Sequence, residues 1–144
     1  MEHLKHWLND LLDETNQNKN LVDLLKSCGE KCAKRNGFPN VVNLRAEISG
    51  LQTMEEISRV ICKHTGTGVE CTPFSNGFIY IDNNKDCICP IVKGGYVIST
   101  IFCNCTLGYH EFIWSEVFEK PITVELLSSF LNGGKCCSVK IYTN

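Results

Sequence analysis

What the sequence lacks narrows it first. No apolar run approaches the ~20 residues that a membrane-spanning helix needs, so no membrane partner is expected. Lys and Arg number 14 against 16 Asp and Glu, a net charge of −2. No basic stripe is present, so a nucleic-acid partner has no electrostatic support. The N-terminus, Met1 to Asp10, is amphipathic and mixed in charge. It has no basic start, no continuous apolar core and no small-residue cleavage site, which excludes a signal peptide and predicts a cytoplasmic protein. There is no internal repeat, low-complexity segment or linker. No Ser-His-Asp set, phosphate loop or paired-carboxylate motif rises above chance.

What the sequence has is cysteine, 10 in 144 residues. Most fall in close pairs: Cys28 and Cys32, Cys87 and Cys89, Cys103 and Cys105, Cys136 and Cys137. Only Cys62 and Cys71 stand alone. Such density means a disulfide framework, a metal site, a redox or catalytic centre, or cysteine-rich packing. In a cytoplasmic chain thiols are normally reduced, which weighs against disulfides.

The length and apolar content fit one globular domain spanning 1–144. Leu4, Trp7, Leu8, Leu11 and Leu12 recur at helical spacing. Leu21, Leu24, Leu25, Cys28 and Cys32 form a second stripe, stopped by Asn36-Gly37-Phe38-Pro39. A short helix is expected in 40–50. Thr53-Met54-Glu55-Glu56 has the form of a capping box and starts a helix through His64. From 69 the pattern turns to strands: Val69–Thr72, Gly77–Ile81, then a turn at 82–85 into a strand over 86–92. A helix follows from about Asn104 to Phe118, and two strands end the chain. The fold class is α+β: N-terminal helices (about 1–65) pack on a small antiparallel sheet, with a helix before the final β-hairpin (about 69–142).

Each cysteine pair has a packing and a functional reading. Cys28 and Cys32 lie one helical turn apart on a stripe expected to face the core. Gly29 between them weakens the helix by ~1 kcal/mol against Ala, which suggests close approach by a ligand or another segment. Cys87 and Cys89 would share one face of the predicted strand. Cys103-Asn104-Cys105-Thr106-Leu107-Gly108 is the sharpest motif. It lies where a helix begins, and a helix start lowers a thiol pKa. Cys103 and Cys105 are therefore candidate nucleophiles or metal ligands. Cys137 shares a strand face with Val139 and Ile141 and reads as core or ligand. Together these pairs supply enough thiolates for zinc or an iron–sulfur cluster, although the spacings match neither the usual zinc-finger form nor the common ferredoxin runs.

Ile101-Phe-Cys-Asn-Cys-Thr-Leu-Gly-Tyr109, Lys120-Pro-Ile-Thr-Val-Glu-Leu-Leu127 and Gly133-Gly-Lys-Cys-Cys-Ser-Val-Lys-Ile141, with Cys28-Gly-x-x-Cys32 and Cys87-x-Cys-Pro90, carry a resemblance. The pattern resembles a group of small cysteine-rich bacterial proteins, some of whose relatives are named aminothiazoline-carboxylate hydrolases. The C-terminal part is also similar to the vinyl-reductase-type small-molecule-binding domains. That resemblance implies an α+β fold with an apolar pocket between helices and sheet. It also implies a zinc site of three cysteines and a glutamate, here Cys103 or Cys105, Glu125 and Cys137. Ser128 and Ser129 stand at the place of one ligand cysteine, which Cys28, Cys32, Cys87 or Cys89 would replace.

The leading functional reading is a small-molecule-binding domain with a metal, zinc first, held by the clustered thiols. Candidate pocket residues are Tyr80, Phe102, Tyr109, Phe112 and Trp114. The alternatives are a hydrolase using a cysteine thiolate or zinc-bound water, an iron–sulfur or thiol redox protein, and cysteines that merely pack, for instance in a homo-oligomer.

Overall fold

The computed structural model describes residues 2–14, 19–36, 40–87 and 89–144. Four helices come first: α1 (Glu2–Glu14), α2 (Lys19–Asn36), α3 (Val41–Ile48) and α4 (Met54–Thr65). The polar link expected at 13–20 is shorter, and its centre, with the Gly37-Phe38-Pro39 stop, lies outside the described residues. The capping box forms as the sequence requires. Thr53 Oγ1 accepts from the Glu56 amide at 3.3 Å, and the Glu56 carboxylate accepts from the Thr53 amide at 3.4 Å. Such a cap stabilises a helix start by about 1 kcal/mol.

The sheet is antiparallel and four-stranded, in the order β1-β2-β4-β3. The strands are β1 (Val69–Phe74), β2 (Gly77–Asp82), β3 (Thr123–Ser128) and β4 (Cys137–Tyr142). β1 and β2 form a hairpin, and β4 fits between β2 and β3. Pro73 lies in β1, an edge strand, where a missing backbone donor is tolerated. The inward residues Phe78, Val139 and Ile141 are wholly buried. They face α6 (Cys105–Phe118), whose apolar residues spread around most of its circumference rather than along one stripe. A helix of that kind must be covered on several sides. α2 and α3 cover it on one side and the sheet on the other. Phe78 meets Trp114 edge-on at 5.1 Å between ring centroids.

The strand expected over 86–92 does not form. Asp86, Cys87 and Cys89 pair with no strand, and Pro90–Lys93 makes a single helical turn, α5. Both sides of β2 are paired, with β1 and β4, so a strand following the 82–85 turn cannot pair back beside it. Pro90 sits at the first helical position, where its fixed φ is suited. Cys87 and Cys89 are therefore loop residues and not strand neighbours.

The stripe of α2 also differs from expectation. Leu25, Gly29 and Ala33 are buried, while Leu24, Cys28 and Cys32 are exposed. The buried line runs through small residues, which a search for large apolar side chains overlooks. A Cβ on Gly29 would lie 1.8 Å from the Cys105 carbonyl oxygen, and one on Gly108 would lie 1.8 Å from that of Lys26. The two glycines let α2 and α6 touch backbone to backbone.

A second, smaller core joins Leu12 of α1, Leu25 of α2, and Val97 and Ile101 of the following segment. Asn9 fixes that segment. Its buried amide donates to the Tyr96 carbonyl at 3.2 Å, and its oxygen accepts from the Ile98 and Ser99 amides at 2.7 and 3.0 Å. Among the described residues no helix is long and apolar enough to cross a membrane.

Gly108→Ala is expected to destabilise the fold by about 3 kcal/mol, since overpacking at a rigid backbone contact cannot relax cheaply. A urea melt checks this, and an unchanged midpoint would show that the helices have room to spare.

Candidate functional site

The structure answers whether the cysteines converge. Cys103 lies buried in a 3-10 turn (Thr100–Asn104), and Cys105 opens α6. Cys89 precedes the α5 turn, and Cys137 begins β4 opposite Asp82. Charge on Cys103 would be felt from Cys87 and Cys89, and on Cys105 from Cys89, Cys103 and Cys32. Charge on Cys137 would be felt from Cys87 and Cys103. Four separated stretches of chain thus carry thiols within electrostatic range of one another. The cluster is loose: among the described residues no three Cys, His, Asp or Glu side chains stand together as a metal-holding group. No disulfide forms among the described cysteines.

The stretch after β3 wraps the cluster. A bulge between Leu126 and Ser128 shifts the β3–β4 register. Beyond it the Ser128 hydroxyl donates to the Cys136 carbonyl at 2.8 Å, and the buried Ser129 hydroxyl bonds Cys103. Backbone groups of Leu131 and Phe130 bond Cys103 and Cys137. Ser129 was legible in sequence only as the place of an expected cysteine. Here it supports a thiol from the second rank.

The electrostatics run against a reactive thiolate. Burial, with Cys89 and Cys103 adding, pushes the Cys105 thiol up to about 12. Burial pushes Cys137 up to about 11 and raises Cys103, against the opposing bond from Ser129. A helix start was expected to lower these values. Here the 3-10 turn runs straight into α6, and the Cys105 amide already bonds turn carbonyls. Desolvation of the sulfur then dominates.

The remaining candidates scatter. Cys28 is exposed on α2. Glu125 is exposed, accepts from the Tyr142 hydroxyl at 3.0 Å and pairs across the ladder with Lys140. By strand alternation that is the face opposite Val139 and Ile141, away from Cys137. The zinc set with Glu125 that the resemblance implied is therefore not assembled. Cys62 donates to the Val69 carbonyl at 3.2 Å and neighbours Cys71, a second thiol pair near the α4–β1 contact.

Of the candidate pocket residues, Tyr80, Tyr109 and Trp114 meet around a cavity of about 50 Å³. Phe112 lines an open groove of about 480 Å³ along α2 and α6, spanned by the Lys26–Glu111 ion pair at 2.8 Å. Phe102 packs on the second core. The large apolar pocket implied between helices and sheet is reduced to the small cavity, because Phe78, Trp114 and Phe118 fill the space. The residue missed by sequence reasoning is His110. Its Nδ1 accepts from Trp114 Nε1–H at 3.1 Å, and burial holds its pKa down to about 4. The signal available was the spacing of His110 and Trp114, one helical turn apart.

Two pH limits follow. His110 is depressed from 6.5, so its contribution is intact above pH 6.5 and is lost as pH falls through about 4. The loss is about 3 kcal/mol. Burial raises Cys71 from 9.0 to about 12, so its contribution is intact below pH 9 and is lost as pH rises towards 12. Thermal melts from pH 4 to 11 check both. In His110→Gln and Cys71→Ala the matching limb flattens, and unchanged limbs would show that other groups set them.

Comparison with known proteins adds a family and one likeness of shape. No curated protein matches the chain. A solved structure, a trafficking protein particle complex subunit 3 from Naegleria fowleri covalently bound to palmitic acid, is similar over 98% of this chain and 93% of that one. The TM-score is 0.48 and the identity 13%. A family model matches residues 2–144, so the chain belongs to DUF6144, a family of unknown function.

Proposed function

We propose that this protein is a metal-binding module whose thiol cluster takes zinc. The observation that carries the reading is the gathering of Cys32, Cys87, Cys89, Cys103, Cys105 and Cys137 from four stretches of chain. Cys103 is buried, Cys87, Cys89, Cys105 and Cys137 are half-buried, and charge on neighbouring thiols opposes the ionisation of Cys103, Cys105 and Cys137. A divalent cation reverses that sign, because it deprotonates coordinating thiols outright and neutralises them. An all-sulfur donor set suits zinc or an iron–sulfur cluster far better than a hard cation. Cys89, Cys103 and Cys105 are the ligands of choice, with Cys32, Cys87 or Cys137 as the fourth. Binding would draw the 87–89 and 103–105 pairs inward from their present spacing.

The thiolate-hydrolase alternative has less support. Its nucleophile would need Cys103 or Cys105 ionised near neutral pH, where burial opposes ionisation.

Elemental mass spectrometry on anaerobically purified protein tests the proposal. About one zinc per chain is expected, falling at least tenfold in Cys103→Ser/Cys105→Ser, with Cys28→Ser as an unaffected control. Iron and visible absorption would replace zinc with a cluster. Absence of metal, together with no rise in melting temperature on adding zinc, would overturn the proposal.

A further inference from the structure

Two thiols stand outside the proposed metal site. Cys62 lies in the last turn of α4, directly after the wholly buried Ile61, and Cys71 lies in the edge strand β1. In register Cys71 pairs with Tyr80, so by alternation its side chain shares the inner face of the sheet with Phe78, and it packs against the main core. Cys62 Sγ donates to the Val69 carbonyl at 3.2 Å, two residues before Cys71 on the strand. A hydrogen bond also joins Cys71 to Cys62. A thiol has one proton to donate. That of Cys62 is engaged by the Val69 carbonyl, so Cys71 is the donor between the two sulfurs.

The two sulfurs are unequal. Burial and the contact with Cys62 keep the proton on Cys71, whose pKa is pushed up to about 12. Cys62 is therefore the sulfur left to attack first, and Cys71 the one that resolves. Both are half-buried. A sulfur in such a helix–strand seam admits a small neutral oxidant and excludes a bulky one, because attack requires access to the sulfur. The link between them, 63–70, turns on Gly66 and Gly68, with φ of 85° and 90°. Without a Cβ these turns can adjust to the short separation that a disulfide demands.

We propose that Cys62 and Cys71 are an oxidative modification site, closed into an intrachain disulfide by a small hydroperoxide. The Cys62 thiolate attacks one peroxide oxygen. The S–O bond forms as the O–O bond breaks, and hydroxide leaves with the electron pair and takes up the proton that Cys62 gave to solvent. The sulfur is oxidised by two electrons and the peroxide is reduced. Cys71 then attacks the Cys62 sulfenic acid. The S–S bond forms, the S–O bond breaks, and the oxygen leaves as water with the Cys71 proton. Two thiols and one hydrogen peroxide thus give one disulfide and two waters. The bond ties the end of α4 to the sheet edge, and a thiol reductant reopens it. The site does not depend on the thiol cluster being metallated.

Peptide mapping tests this directly, because Lys63 lies between the two cysteines. Reduced full-length protein is treated with hydrogen peroxide, remaining thiols are alkylated, and trypsin releases 60–63 and 64–85 as separate peptides unless a disulfide joins them. Most of Cys71 is expected in the joined species, two hydrogens lighter than the sum and returned to separate peptides by dithiothreitol. In Cys71→Ala the joined species is lost and dimedone labels Cys62 as the trapped sulfenic acid, whereas in Cys62→Ala Cys71 stays unoxidised. The wild-type map needs no variant to fold. Cys71 recovered alkylated, or joined to another cysteine, would overturn the proposal. So would an equal share of the joined species in urea, which would show chance pairing. Dimedone on Cys71 in Cys62→Ala, with none on Cys62 in Cys71→Ala, would overturn the order of attack on which the site rests.

Discussion

The backbone contact between α2 and α6 is the constraint on which the rest depends. Gly29 and Gly108 each lie where a methyl group would strike the other helix's main chain. α6 sits between this contact and the sheet, so its depth sets the packing on both faces. Trp114 and Val117 reach the sheet because α2 presses from behind. Arg45 of α3 covers the far end of α6, donating twice to the Glu116 carbonyl at 2.9 and 2.6 Å. α6 has no basic residue in its own last turn, so this borrowed cation supplies the favourable charge at its C-terminus.

The same contact sets the position of the thiols. With α2 against the start of α6, Cys32 comes within reach of Cys105 although it faces solvent. The segment that carries Val97 and Ile101 is anchored by Asn9 and the second core, which fixes the turn holding Cys103. The bulge in β3 then brings Ser129 over the sulfur. The cluster is thus assembled by elements far apart in the chain and owes little to the local spacing of any one cysteine pair. Burial deepens its chemistry, since desolvated thiols stay protonated unless a cation arrives to hold them.

The aromatic cavity illustrates a different consequence of close packing. Trp114 both fills the core against Phe78 and donates to His110. One side chain thereby fixes the sheet-facing packing and the orientation of a buried imidazole.

The sequence by itself determined the elements whose signals are local. The capping box at Thr53 and Glu56, the helix after Asn104, the strands at Val69–Thr72 and Gly77–Ile81 and the alternation of Val139 and Ile141 follow from period, caps and turn residues; the hairpin turn expected at 82–85 does not form, and β2 pairs back with β1 instead. It also marked Gly29 as a place of close approach, though it could not say that the approaching segment is α6. The tertiary structure decided the rest. Cys28 and Cys32 share the spacing of Leu25 and Gly29, and only the approach of α6 selects which line is buried. The stretch 86–92 has strand-like residues but loses its partner edge to β4, a choice made by pairing at long range. Convergence of thiols, and the placing of Glu125 on the opposite face, depend on sheet order, which no local pattern encodes. His110 gained its role from a neighbour one turn away and a strand thirty residues earlier, because burial and hydrogen-bond satisfaction are properties of the packed whole.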